Sequence, residues 1–138
     1  MSFKIKYFLL PVFVFLYINS NSQEICDTIF ASDKVDELAV FPVSQREFNK
    51  FLEKKIIPLV SEEVEKTKKI IPHLNMLFTI SQEGNIIKIE FPKLDSSKEL
   101  QEKMAKEFIA LGKWTPGILK KQKVCSEFYY RIACIKWQ

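Results

Sequence analysis

Glycine is scarce in this chain: three occur in 138 residues, at positions 84, 112 and 117. No glycine-rich loop able to cradle a phosphate can be built from that spacing. Histidine is scarcer still. His73 is the only one and follows a proline in a connecting stretch, where a surface or capping role accounts for it without a catalytic one. Cys26, Cys125 and Cys134 lack the close pairing that a zinc site needs, so no metal site is expected. Long apolar runs are also missing. The longest, Tyr7 to Ile18, would reach about 18 Å as a helix, against roughly 30 Å of hydrocarbon core. Nor is there a decisive charge: 21 Lys and Arg against 17 Asp and Glu give +4, with the signs interleaved, which argues against nucleic acid as a partner.

What is present fits one globular domain, 47% hydrophobic and 28% charged. Lys4 and Lys6, the apolar run and the polar stretch NSNSQ have the layout of a secretory leader, with Ser20 and Ser22 at the small positions before a cut. Cleavage after Ser22 gives a leader over 1–22, an extended arm over 23–40 and a folded domain over 41–138. It deletes two lysines and no acid, taking the formal charge from +4 to +2. An exported chain with three cysteines leaves one over if a pair forms. Cys125 and Cys134 lie on opposite faces of one apparent strand, about 30 Å apart, too far to bridge. Cys26 with Cys125 or Cys134, or three buried thiols, remain the alternatives.

Hydrophobic spacing defines the elements. Residues 23–40 read as an arm or short edge strand. Ser44 and Glu47 form a Ser-x-x-Glu capping box with Val43 and Phe48 at the staple positions, and Phe48, Phe51, Leu52 and Ile56 make one face of a helix from Gln45 that ends before Pro58. LVSEEVEKTKKII carries a short second helical piece with a solvated charged face, stopped by Pro72. Leu74, Met76, Phe78 and Ile80 alternate, as do Ile87, Ile89 and Phe91, and QEGN between them is a hairpin turn in which Gly84 takes positive φ. Ser96 and Glu99 repeat the capping box for a helix with the stripe Leu100, Met104, Phe108 and Leu111, closed by Gly112. From Lys123 a long strand runs to Trp137, with Val124, Ser126, Phe128, Tyr130, Ile132 and Cys134 on one face and Cys125, Glu127, Tyr129, Arg131, Ala133, Ile135 and Trp137 on the other. The order α-β-β-α-β predicts an α+β fold: a three-stranded antiparallel sheet with two helices packed on one face.

Several of these stretches occur in a known order. VDELAVFPVSQREFNKFLEKKI, FTISQEGNI, the turn LGKWTPG and a terminal strand together resemble the TonB C-terminal domain family over about residues 35–137. Phe41-Pro42 before the first helix, Phe78 ahead of the Gly84 hairpin, and Trp114-x-Pro116-Gly117 before the last strand carry the resemblance. Val43-Ser44 stands where many relatives have a glycine pair, and Ile57-Pro58 where Tyr-Pro is common. The resemblance implies a periplasmic protein-binding module that takes an extended segment of an outer-membrane transporter, or a related envelope protein, onto the edge of its last strand. Carried over by position, that edge is Val124, Cys125, Ser126, Glu127, Phe128, Tyr129, Tyr130, Arg131 and Ile132, with Trp114 and Pro116 fixing where the strand starts.

Strand addition binds through main-chain hydrogen bonds worth about 0.5 to 1.5 kcal/mol each, so several in register are needed. Residues 23–40 span about 60 Å at most, roughly 3.3 Å each, which makes the expected protein a binding fold without the long tether of an energy transducer. No enzymatic activity, cofactor or small-molecule substrate is expected. The alternatives are a module that pairs with itself into a homodimer through the same edge, and a small hydrolase with a reactive Cys125 or Cys134.

Overall fold

The computed structural model describes residues 26–134. The expected leader over 1–22 and the continuation of the last strand through Ile135 to Trp137 lie outside the described residues.

Alternation sets the centre of the fold. In β2 (His73–Ile80) the residues Leu74, Met76, Phe78 and Ile80 point to one face and are each fully buried. β3 (Ile86–Glu90) and β5 (Gln122–Ala133) flank it, both antiparallel. Phe128 lies opposite Phe78 in an unbroken β2–β5 register, and Ile89 lies opposite Phe78 on the other side. The hairpin forms where expected: Gly84 has φ +92° and its N–H donates to the Ser81 carbonyl at 3.0 Å. One expectation about β3 is corrected. The register shifts between Thr79 and Ile80, so Ile86 packs against the core and Ile87, expected inside, is exposed.

Two short strands enlarge the expected three-stranded antiparallel sheet to a mixed sheet of five. β1 (Ile29–Phe30) runs parallel to β5, with Ile29 opposite Cys125 and Phe30 opposite Ser126. β4 (Gly117–Leu119) forms a hairpin with the start of β5. Its two-residue loop is Lys120 and Lys121, with φ 51° and 65°, the two left-handed positions of a type I′ turn that usually holds Asn-Gly. Asp36 from the arm supports this turn, its Oδ2 accepting from the Lys120 N–H at 2.8 Å. The arm continues along the same side: Glu37 and Ile118 exchange backbone hydrogen bonds, and so do Val40 and Thr115.

The helices cover one face, as expected, but their boundaries differ. α1 (Gln45–Phe51) starts at the predicted cap, with Ser44 Oγ accepting from the Glu47 N–H at 3.2 Å. Pro58 does not end it. A π turn over Leu52–Ile56, in which the Ile57 N–H donates to the Leu52 carbonyl, leads directly into α2 (Ile57–Thr67). Proline is tolerated there because it falls in the first turn of α2, where the wider π turn replaces the i→i−4 bond its ring would block. α2 then ends at Lys68, in the left-handed conformation at φ 61°, four residues before Pro72. α3 (Lys98–Ala110) is capped by Ser97 rather than Ser96. The cause is Glu63 on α2, a buried carboxylate that accepts from the Ser97 N–H at 2.7 Å and from its hydroxyl at 3.0 Å, holding Ser97 Oγ where it accepts from the Leu100 N–H.

Between helices and sheet lies an aromatic core. Phe48 of α1, Phe78 of β2 and Phe108 of α3 are fully buried. Burying each contributes about 1.5 to 3 kcal/mol. Phe41 stacks on Phe48 with ring centroids 4.1 Å apart and meets Trp114 and Phe128 edge-on.

Candidate functional site

The turn 111–117 shows how the last strand is delivered. Trp114 is 3% exposed, with its ring 4.9 Å from that of Phe78 and 5.3 Å from that of Phe128. Its N–H donates to the Gly84 carbonyl at 2.8 Å. A Cβ on Gly84 would collide with the Trp114 carbonyl oxygen, so this close approach needs glycine as much as the turn does. Pro116 and Gly117 are buried, and a Cβ on Gly117 would meet the Ser126 side chain. Phe41, Phe78, Gly84, Trp114, Pro116 and Gly117, drawn from separate stretches of sequence, thus meet around one junction. That junction joins the β2–β3 hairpin to the start of β5. Pro42 sits beside it, against Gly112 at φ 124°.

The expected strand edge, Val124 to Ile132, is only partly available. Val124 is paired with Gly117 of β4. Cys125 is bonded to Cys26 and lies opposite Ile29. Ser126 is fully buried between Ile80 on one side and Phe30 on the other. These three positions are corrected: β4 takes Val124, and the arm closes Cys125 and Ser126, fastened by the disulfide, one of the two pairings that the sequence left open. From Glu127 to Ala133 no strand among the described residues occupies the side of β5 away from β2.

Backbone direction divides this free stretch further. The Cys134 N–H donates to the Pro72 carbonyl at 2.8 Å, so position 134 faces β2. Because N–H and C=O directions alternate along a strand and the β2–β5 register has no shift, Ile132, Tyr130 and Phe128 also face β2. Glu127, Tyr129, Arg131 and Ala133 therefore turn their N–H and C=O groups outward, and the parallel pairing of Phe30 with Ser126 places the Glu127 N–H on the Phe30 carbonyl, which leaves Tyr129, Arg131 and Ala133 as the unpaired positions among the described residues. Phe128, Tyr130 and Ile132 contribute side chains to the core instead, packed against its buried cluster. Ala133, beyond the expected range, belongs to the edge, and the alternation that would have found it is readable once the inward face is known.

On the sheet face opposite the helices, Glu127, Tyr129 and Arg131 form a row. The Tyr129 hydroxyl donates to Asn75 Oδ1 at 2.6 Å, which holds the ring over β2 while half of the residue remains exposed. Glu127 and Arg131 make no ion pair among the described residues.

The other candidates separate from this site. Cys134 is a free thiol, buried and pushed up in pKa by that burial, and Cys125 is held in the disulfide, so neither is available as a thiolate nucleophile. His73 is exposed at the start of β2, in an open hollow of about 330 Å³ shared with Lys69, Lys93, Asp95 and Arg131. Among the described residues no cluster of His, Cys, Asp and Glu could hold a metal ion, and no helix is long and apolar enough to cross a membrane. No family model, curated protein or solved structure matches the chain.

Proposed function

We propose that this protein is a periplasmic binding module of TonB C-terminal type, which takes an extended segment of an outer-membrane transporter, or of a related envelope protein, as an added strand on β5. The observation that carries the reading is the row of outward-facing backbone groups at Tyr129, Arg131 and Ala133, unpaired among the described residues on a strand otherwise locked into the sheet. A visiting chain can satisfy these groups without any change in the core. The junction of Phe41, Phe78, Gly84 and Trp114 supports the same reading, since it holds the strand rigid and lowers the ordering cost of binding. The bonded Cys125 and the buried Cys134 weigh against a cysteine hydrolase.

The test is a titration of isotope-labelled domain with peptides from the N-terminal segments of outer-membrane transporters, followed through the backbone amides. Binding should shift and protect the amides of Tyr129, Arg131 and Ala133 and leave those of Phe128, Tyr130 and Ile132 hydrogen-bonded to β2. Arg131→Pro, which removes one outward donor, should abolish it. Undiminished binding by that variant, or shifts confined to another surface, would refute strand addition.

A further inference from the structure

One end of the sheet carries a charge that its own contacts leave unspent. The connection from α2 to β2, the turn between β3 and α3 and the side chain of Arg131 enclose the open hollow of about 330 Å³. Lys69, Lys93 and Arg131 line it against one acid, Asp95, so with His73 neutral it holds a formal +2. That equals the whole excess expected for residues 23–138. The ion pair inside it, Lys69 with Asp95 at 3.4 Å, is exposed on both sides and weak, and Lys93 and Arg131 make no ion pair among the described residues. The nearby acid on β3, Glu90, is taken by Lys88 at 3.2 Å. Asn75 adds to the same polarity. Its Oδ1 accepts from Tyr129, so the group it has left for the hollow is the amide nitrogen, a donor.

From this excess we infer that the hollow is a binding site for a phosphate monoester carried on a short apolar body. The site goes beyond strand pairing and does not depend on it, because it uses side chains where the edge uses its backbone. A lone carboxylate would be matched by Arg131 alone, through two parallel hydrogen bonds. Three cationic heads on flexible stems, with the Asn75 amide and an imidazole N–H beside them, offer more donors than one carboxylate can accept. A phosphate monoester, with close to two negative charges and three acceptor oxygens, can take them. The apolar part of the lining sets the rest of the ligand. Ile70, 69% exposed, and Leu94 stand beside the cations, where an alkyl chain on the phosphate would cover them. Lys93 has φ 62° at the third position of a turn that the Leu94 N–H closes on the Phe91 carbonyl at 3.2 Å, a place where glycine is usual. Lys68, Lys120 and Lys121 take left-handed conformations elsewhere, so strain does not mark the site. It does supply a variant, since Lys93→Gly removes the charge and relaxes the backbone together.

Hexyl phosphate, titrated to millimolar concentration against the full disulfide-bonded protein, tests this through the backbone amides and the side-chain amide of Asn75. Shifts should centre on Ile70, His73, Asn75, Lys93 and Leu94, with binding about fivefold tighter than that of hexanoate or inorganic phosphate and weaker in high salt. Arg131→Gln and Lys93→Gly should each weaken it by about fivefold. Lys93→Gly should do so without lowering the urea midpoint, because glycine suits the left-handed position, so the lost binding is not lost folding. Vesicles separate the two sources of such an ester. Co-sedimentation with phosphatidate vesicles but not with phosphatidylcholine vesicles, displaced by hexyl phosphate, would support the site and place the phosphate on a lipid; hexyl phosphate binding without co-sedimentation would support it and place the phosphate on a soluble ester. Equal affinity for hexanoate would overturn the phosphate assignment, and equal affinity for inorganic phosphate the apolar body. Undiminished binding by both variants, or no shift of these amides, would overturn the site itself.

Discussion

Among the described residues the sheet ends in two free borders, and they are built on opposite plans. β3 is five residues long, carries the register shift opposite Thr79 and Ile80, and displays Lys88 and Glu90 joined to each other at 3.2 Å. Shortness, a bulge and charge are the means by which natural sheets discourage a further strand. β5 is twelve residues long, without a shift against β2, and its charges at Glu127 and Arg131 make no ion pair among the described residues. The half of its border that could have propagated is closed by β1 and a disulfide. One border is short, bulged and charged, while the other is trimmed by the arm and, among the described residues, left unpaired beyond it.

The sharpest way to break this comparison is proline, placed on the two sides of one strand. At Phe128 it removes a donor that faces β2 and a ring that meets Phe41, Phe78 and Trp114, so urea unfolding should show a loss of at least about 3 kcal/mol. At Arg131 the lost donor faces solvent and the loss should stay below about 1 kcal/mol, although partner binding disappears. Equal losses at the two positions would mean that the alternation is wrongly assigned. Next in size is the staple. Cys26→Ser opens a loop with a sequence separation of 99 and should lower stability by about 2 to 4 kcal/mol. Hydrogen exchange at Ile29 and Phe30 should then become fast, and the peptide footprint should lengthen to include the Cys125 amide. A thiol reagent should find no reactive cysteine in the native oxidised protein and one after unfolding, since burial both shields Cys134 and holds its thiol protonated.

The contrast between borders was only half legible in the sequence. Period-two runs gave β2 and the inward face of β5, because burial on one face leaves a strict alternation. The capping serine of α1, the positive φ of Gly84 and the closing role of Gly112 were also readable, each being a local requirement of the backbone. What depended on a distant partner was not. Ser96 and Ser97 are equally good caps until Glu63 chooses between them. Pro58 reads as a stop unless a π turn precedes it. Lys120-Lys121 has no turn signature, and its left-handed pair is supported by Asp36, more than eighty positions earlier. The edge itself was overestimated for the same reason: nothing near Cys125 and Ser126 announces that the arm will return to cover them.

Gly84→Ala is a smaller test, aimed at the link between the borders. The added methyl would face the Trp114 carbonyl at a positive φ, so the hairpin must shift away from the 111–117 turn. A loss of more than about 1 kcal/mol is expected, with the amides of β3 and of Trp114 disturbed and those of Glu127 to Ala133 little changed. Disturbance spreading equally along β5 would show that the free edge is not held independently of the hairpin.

The smallest expected change in stability concerns the defended border. Lys88→Thr with Glu90→Thr removes one exposed ion pair, worth under about 1 kcal/mol, and urea unfolding should barely register it. Its effect should appear in association instead. If the charges of β3 serve to turn strands away, their removal should make the domain self-associate in sedimentation velocity as concentration rises, beside an exposed Ile87 that adds apolar area. The matching change on the other border, Glu127→Thr with Arg131→Thr, should leave peptide binding in place, because strand addition rests on backbone groups. Should both pairs of substitutions give the same outcome, the two borders differ in length alone. A monomer after the first and lost peptide binding after the second would remove the distinction between a guarded edge and one that pairs through its backbone.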